Sequence, residues 1–255
     1  MNKTVKYILA IFAATAITVY LLLAFVFVGN REQTLLCKNI NITIYDYDKF
    51  AFVDEDIVKS MLKNKKIINV PLDKINTYEI KQILSKNHAI KSLNVFTTID
   101  ANLNIEIEQR HPVIRIQCEN MTCYIDDTGY IFPFSPKPSL KIPVVTGIIP
   151  SPVRNGFAGY IPKDRKFLNH LYEFAAFLQI NTFWNDMIEQ INVTNGKIEI
   201  IPQISGHLVI LGSLNNFRSK LNKLQKFYQY AMPAIGWDKY KIINTEYKNQ
   251  IICKK

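Results

Sequence analysis

The chain has 255 residues, of which 48% are hydrophobic, 12% aromatic and 20% charged, with a formal net charge of +10. That balance excludes an intrinsically disordered chain, and the length allows one or two domains behind a membrane segment. The basic residues form no run of five or six and no arginine-rich arm, so they point to a lysine-rich surface facing anionic lipid or glycan and not to nucleic acid.

Ile8 to Val28 is apolar and uncharged. As a helix this run reaches roughly 31 Å, enough to cross a bilayer. Lys3 and Lys6 precede it, and Arg31 and Glu32 follow it. The positive-inside rule then leaves residues 1–7 in the cytoplasm. A cleaved signal peptide would have a shorter apolar region followed by a small-x-small site. Phe27-Val28-Gly29 puts a phenylalanine where a small residue is wanted. The expectation is an uncleaved transmembrane helix at 8–28, with the lipid bilayer around it and the rest of the chain outside the cytoplasm.

After a short polar linker, Ile40, Ile42 and Ile44 alternate with Asn and Thr, the period of a strand. Asp54 is placed to cap a helix carrying Ile57, Val58, Met61 and Leu62 on one face. Asn76 and Glu79 have capping-box spacing ahead of a second helix that buries Ile80, Ile83 and Leu84. Leu93 and Val95 begin a strand, Asp100-Ala101-Asn102 turns, and Leu103, Ile105 and Ile107 return in strict alternation. This strand–helix–helix–strand–strand order predicts a compact α+β unit.

His111-Pro112 reads as a seam where one sheet stops and another begins, because proline offers no ladder donor and belongs at a strand start. Val113–Cys118 and Cys123–Asp126 then form strands. Asp126-Asp127-Thr128-Gly129 is a polar, glycine-ended turn. Prolines from Pro133 to Pro152 punctuate short strands and loops. Asp164 is a candidate cap for a helix with Phe167, Leu168, Leu171, Phe174, Ala175 and Leu178 in one stripe. Asn195-Gly196 signals a tight hairpin between Ile188–Val193 and Lys197–Ile201, and His207–Leu211 forms another strand. Phe217, Leu221, Leu224, Tyr228 and Ala231 mark a helix expected to stop at Pro233 and Gly236. Tyr240 to Cys253 is expected to close the chain as one long strand.

An extracytoplasmic placement permits disulfides among Cys37, Cys118, Cys123 and Cys253. Cys118 and Cys123 bracket Glu-Asn-Met-Thr, so they can face each other across a four-residue hairpin loop, as a bridge or as free thiols. A bridge there would close a very short loop and stabilise little. His88, His111, His170 and His207 are far apart and lack metal-ligand spacing, so each reads as a surface or seam histidine. Arg110 and Arg115 flank the seam, either ion-paired or exposed. Asp127-Thr128-Gly129 matches the aspartic-protease tripeptide. Two carboxylates must share a proton in that chemistry, and bulky Tyr130 follows the glycine, so an ordinary turn is the simpler reading. A membrane-anchored hydrolase using Asp127 is the alternative function class.

The order of these motifs resembles the FtsQ/DivIB family of bacterial cell-division proteins. The resemblance rests on the N-terminal apolar run, the strand–helix–helix–strand–strand unit, Leu103-Asn-Ile-Glu-Ile-Glu-Gln-Arg-His-Pro-Val, Tyr124-Ile-Asp-Asp-Thr-Gly and Ile142-Pro-Val-Val-Thr-Gly147. The ending from Trp237 to Cys253 is similar to the Bacteroidetes branch. The resemblance implies a polypeptide-transport-associated (POTRA) domain at 36–110 and a β domain with helices on one face at 111–253. It implies a non-enzymatic inner-membrane scaffold with no cofactor, a cytoplasmic N-terminus and periplasmic domains. The implied partners are divisome membrane proteins of the FtsB/DivIC and FtsL type, and through them the septal peptidoglycan synthase. The partner-binding strand of the family maps onto Tyr247, Lys248, Asn249, Gln250, Ile251 and Ile252. From the residues alone, a C-terminal strand is either an open edge ready to take a partner strand or one buried in its own sheet. Asn249-Gln250 either blunts such an edge or marks a bulge. A POTRA unit that handles outer-membrane proteins is a third reading, disfavoured by the N-terminal anchor.

Overall fold

The computed structural model describes residues 11–25, 35–135, 140–203 and 206–255. Residues 11–25 are helical (α1), with Phe12, Tyr20 and Phe25 among their exposed side chains. The expected tail at 1–7 and both ends of the 8–28 span lie outside the described residues. Among the described residues no helix is long and apolar enough to cross a membrane.

The chain divides into two compact units, Met1–Tyr45 with Val53–Glu108, and Asp46–Phe52 with Gln109–Lys255. The first contains β1 (Asn39–Tyr45). The chain then passes through α2 (Tyr47–Phe50), which belongs to the second unit. It returns to the first as α3 (Glu55–Met61), α4 (Thr77–Leu84), β2 (Ile90–Thr97) and β3 (Asn102–Gln109). β1 runs parallel to β3, and the sheet order is β1-β3-β2. β3 is therefore central, and its Leu103, Ile105 and Ile107 are fully buried, as their alternation predicts. Val58, Leu62, Ile80 and Leu84 supply the helical half of the core. Asp54 caps α3 as expected, its Oδ1 accepting from the Ile57 N–H at 2.7 Å. Only half of the capping box on α4 forms. Asn76 Oδ1 accepts from the Glu79 N–H at 2.9 Å, while the Glu79 carboxylate is held by Lys65.

Among the described residues, the second unit is built on a ten-stranded mixed sheet. Its elements are β4 (Pro112–Cys118), β5 (Met121–Asp126), β6 (Tyr130–Pro133), β7 (Val144–Gly147), β8 (Gly159–Tyr160), α5 (Lys166–Ile180), α6 (Thr182–Met187), β9 (Ile188–Thr194), β10 (Lys197–Pro202), β11 (Leu208–Gly212), α7 (Phe217–Lys226), α8 (Met232–Ile235), β12 (Ile242–Asn244) and β13 (Ile252–Lys254). The sheet order is β13-β12-β11-β10-β9-β7-β4-β5-β6-β8. Leu168, Leu171, Phe174 and Leu178 of α5 and Phe217, Leu221 and Leu224 of α7 are buried in one core with Ile116, Val145, Ile191, Ile200 and Val209 of the strands. The early segment Asp46–Phe52 is part of this unit. Its Phe52 ring meets Tyr124 and Phe132 edge-on at 5.2 and 5.5 Å, and its Phe52 N–H donates to Gln109 Oε1 at 2.8 Å.

Two turns show why particular residues were needed. Asn195 and Gly196 both have positive φ, 52° and 72°, the backbone a two-residue hairpin between twisted strands requires. Gly147 has φ +92°, and a Cβ there would lie 2.2 Å from the Val193 carbonyl oxygen. No other residue fits where β7 ends against β9.

Several expectations are corrected. Asp164 does not cap α5; its carboxylate pairs with Arg165 Nη1 at 3.0 Å. The helical run that begins with α7 does not stop at Pro233, but it does end at Gly236, which C-caps it. A π turn at Phe227–Ala231 resets the hydrogen-bond register, and Pro233 falls in the first turn of α8, where a missing N–H costs nothing. Cys118 and Cys123 do not face each other across a four-residue loop. The β4–β5 turn is only Glu119-Asn120, Cys118 stands opposite Met121, and Cys123 stands opposite Ile116. All four cysteines are free thiols. Burial pushes Cys118 up to about 11 and Cys123 up to about 12, which keeps both protonated and unreactive at neutral pH.

His207 is not a surface residue. It is 2% exposed, and its Nε2 lies 2.5 Å from the Tyr228 hydroxyl in the π turn. Burial lowers its pKa from 6.5. The unfolded chain therefore takes up a proton before the folded one does, and stability is lost as the pH falls from about 6.5 toward the lowered native value. His207→Gln keeps a polar group beside Tyr228 and removes the titration. Melting temperatures measured from about pH 7 to about pH 5 should fall more steeply for the wild type than for His207→Gln; parallel curves would refute the assignment.

Candidate docking edge

The expected long strand from Tyr240 to Cys253 is instead two short strands joined by a loop. β12 lies parallel to β11, and β13 returns antiparallel to β12 with Asn244 opposite Ile252 and Ile242 opposite Lys254. The break begins at Asn244, whose Oδ1 accepts from the Glu246 N–H at 2.9 Å, an Asx turn that bends the chain away from the ladder. It is completed by one ammonium group. Lys223 Nζ on α7 donates to the carbonyls of Thr245 and Gln250, each at 3.0 Å, and to that of Tyr247. Three carbonyls drawn to a single point cannot belong to an extended strand.

The loop is also held from the sheet side. Glu246 Oε1 pairs with Lys197 Nζ of β10 at 3.0 Å. Gly212, at φ +73°, makes room for it, since a Cβ there would approach the Glu246 Cδ to 2.7 Å. Lys220 Nζ, one turn before Lys223, donates to the carbonyls of Leu211 at 3.1 Å and Ser213 at 2.7 Å. Burial is the largest influence on both lysines and lowers their pKa values; at Lys220 the attraction of Glu246 opposes it, and the neighbouring Lys223 and Lys197 charges lower it further.

These contacts place the six residues expected to bind a partner. Tyr247, Lys248, Asn249 and Gln250 lie exposed on the loop, beside α7, and do not belong to a strand. Asn249-Gln250 is thus neither an edge-blunting pair nor a bulge. Ile251 packs against the core. Ile252 lies in β13 and is 38% exposed. In β13 the burial alternates: Cys253 turns toward the core, while Ile252 and Lys254 are exposed. β13 ends the sheet order, with β12 on one side and, among the described residues, no strand on the other.

Sequence reasoning missed the strongest polar node of this unit. Arg110, expected to be exposed or paired between domains, is 9% exposed. Its Nη1 donates to Asp126 Oδ2 at 2.6 Å, and its guanidinium lies 3.5 Å from the centre of the Tyr130 ring. The other Asp126 oxygen accepts from the Thr128 N–H at 2.9 Å, the Thr128 hydroxyl at 2.7 Å and the Tyr130 N–H at 2.9 Å. Asp126 is therefore the carboxylate that shapes the Asp-Asp-Thr-Gly turn. Asp127 sits on the tip, and its carbonyl accepts from the Tyr172 hydroxyl at 2.8 Å. The signal available in the sequence was an Arg at the seam between two strands and an Asp that opens the turn after the next hairpin.

A small α+β unit followed by a mixed-sheet unit with helices and an open C-terminal strand defines a two-module architecture. The sequence model described as FtsQ/DivIB, C-terminal related, matches residues 111–254, and that of the POTRA-like domain matches residues 35–108. The chain belongs to the FtsQ/DivIB family, whose members are cell-division scaffolds. No curated protein matches the chain.

Lys223→Met keeps the apolar stem and removes the ammonium donors. Because hydrogen bonds to a charged group contribute about 1.5–3 kcal/mol each when buried and less when water can replace them, the loop should loosen while the helix stays packed. Hydrogen exchange at residues 245–252 should quicken by about ten-fold or more with α5 unchanged. Unaltered exchange in the loop would refute the three-carbonyl clamp.

Proposed function

We propose that this chain is a single-pass scaffold of the bacterial divisome, anchored in the inner membrane through residues 8–28 with its N-terminus cytoplasmic and both units periplasmic. It captures another division protein by accepting a strand on the free side of β13. The favoured partner is the FtsB/DivIC–FtsL type of membrane-protein pair, through which septal peptidoglycan synthesis is recruited. Catalysis is not part of this role.

The observation that carries the reading is the position of β13 at the end of the sheet order. An edge strand offers unpaired N–H and C=O groups along one side, and an incoming strand gains main-chain hydrogen bonds there while its side chains are read by the exposed residues. Ile252 supplies an apolar contact and Lys254 a charge on the same side of that strand. Tyr247, 47% exposed, stands on the adjoining loop as an aromatic anchor of the kind that dominates interface energy. The anchor rests on the uncharged apolar run, of which 11–25 is helical with its large side chains turned outward. For the hydrolase reading, Asp127 offers a turn carboxylate 3.8 Å from His111 Nδ1. The buried carboxylate beside it, that of Asp126, is already engaged by Arg110.

Ending the full-length chain after Ile251 removes β13 and leaves β12 with its partner β11. In detergent, capture of the cognate FtsB/DivIC–FtsL pair should weaken by at least about a hundred-fold, as expected when an edge that supplies several hydrogen bonds is lost. The milder Ile252→Asp, which leaves the backbone whole, should weaken it by about ten-fold, with the melting temperature of both variants near that of the wild type. Undiminished capture by the shortened chain would refute the proposal.

A further inference from the structure

The first unit begins close to the apolar run. Only residues 29–34 separate Val28, where that run ends, from Leu35, the first described residue of the entry segment. Seven peptide steps, even fully extended, span at most about 25 Å, of which the headgroup layer of a bilayer takes about 5–7 Å. The chain enters the unit beside one loop, the one that follows α3. The Leu72 N–H donates to the Leu35 carbonyl, the Cys37 N–H to the Val70 carbonyl and the Asn69 N–H to the Cys37 carbonyl, each at 2.9 Å. The entry of the chain and this loop are thus one surface.

That surface is basic and partly apolar. Residues 63–74 hold four lysines and one acidic residue, Asp73. Lys65 pairs with Glu79 of α4, which ties the loop to the helix. Lys63, Lys66 and Lys74 are exposed. Ile67 is buried at 5% exposure and pegs the loop to the core, so that Ile68, next in the chain, faces outward at 41%. Asn69, at φ 61°, turns the chain back toward the entry segment. There Leu36, bridged to Pro71, is 47% exposed. Aliphatic side chains turned outward among lysines suit a membrane interface, where the apolar groups enter the headgroup boundary and the ammonium groups meet the phosphates.

We infer that this loop docks on the anionic lipid headgroups of the bilayer that holds the 8–28 run, with Lys63, Lys66 and Lys74 on the phosphates and Leu36 and Ile68 at the acyl boundary. The inference rests on the proposed membrane anchor and deepens it: the anchor sets the distance, and the loop sets which side of the first unit faces the lipid. A few lysines suffice, because the short tether makes the second contact intramolecular and keeps the loop at a high effective concentration near the headgroups.

The test uses the full chain in nanodiscs of phosphatidylglycerol and, separately, of phosphatidylcholine, followed by amide hydrogen exchange at about 50 mM NaCl, where charge is little screened. Exchange at residues 63–69 should be slower by about five-fold or more in phosphatidylglycerol, the gain that a single lysine brings near an anionic surface. Lys63→Gln, Lys66→Gln and Lys74→Gln combined should erase that difference, while β3 keeps its protection in every sample and reports that the unit is folded. Exchange in the loop that ignores the lipid, in a chain whose 8–28 run is inserted, would overturn the inference and leave the anchor standing. So would a triple variant that keeps the full lipid-dependent protection. A chain that fails to enter the nanodisc would overturn the anchor and the inference together. Loss of capture of the FtsB/DivIC–FtsL pair by the triple variant, with wild-type exchange equal in the two lipids, would assign the loop to a protein and overturn the lipid contact.

Discussion

One ammonium group decides what the C-terminus of this protein presents. Lys223 holds the carbonyls of Thr245, Tyr247 and Gln250 together, and that convergence turns an apolar run into two strands and a loop. A continuous strand in that place would have carried all six predicted residues along one ladder. The clamped hairpin instead puts Ile252 and Lys254 on the outermost strand and lifts Tyr247 and Lys248 beside α7. Gly212 and the Lys197–Glu246 pair fix the loop from the sheet side. Local sequence, a helix 22 to 27 residues back in the chain and the sheet edge are thus coupled through a lysine on the same helix as the buried Leu221 and Leu224.

A second polar node plays a comparable part where the sheet of the second unit begins. Arg110 and Asp126 form a buried pair, and all their neighbours complete its hydrogen bonds: Thr128 and Tyr130 on the carboxylate, the Tyr130 ring on the guanidinium. Removing one partner of such a pair leaves an uncompensated buried charge, which costs about 3–5 kcal/mol. The apparent protease tripeptide is explained by this geometry. The residue that matters is the aspartate before it, and its work is to close a turn between β5 and β6.

Much of the fold was legible in the sequence because it is written in periodicity. The alternation in Leu103–Ile107, the Asp54 cap, the Asn195-Gly196 hairpin and the stripe on α5 each depend on residues close together in the chain. What stayed hidden depends on partners far apart. The role of Asp164 was lost because the neighbouring Arg165 takes its carboxylate. The passage of the helix through Pro233 follows a π turn, whose Tyr228 is held by His207 from the residue before β11. The path of the C-terminus was half legible. That it is extended at its end was expected, but its division into β12, loop and β13 required Lys223, and no spacing rule connects Lys223 with Gln250.

These features describe a member of a family of division scaffolds whose second unit ends on an open strand, which we propose as its docking edge. Whether the edge meets its partner in the cell can be read by placing a photo-crosslinking residue at Ile252, at Lys254 and, at the opposite end of the sheet, at Tyr160 of β8. The account predicts crosslinks from 252 and 254 to the FtsB/DivIC–FtsL pair in dividing cells and none from 160. Crosslinks from 160 alone, or a silent C-terminal strand, would contradict it.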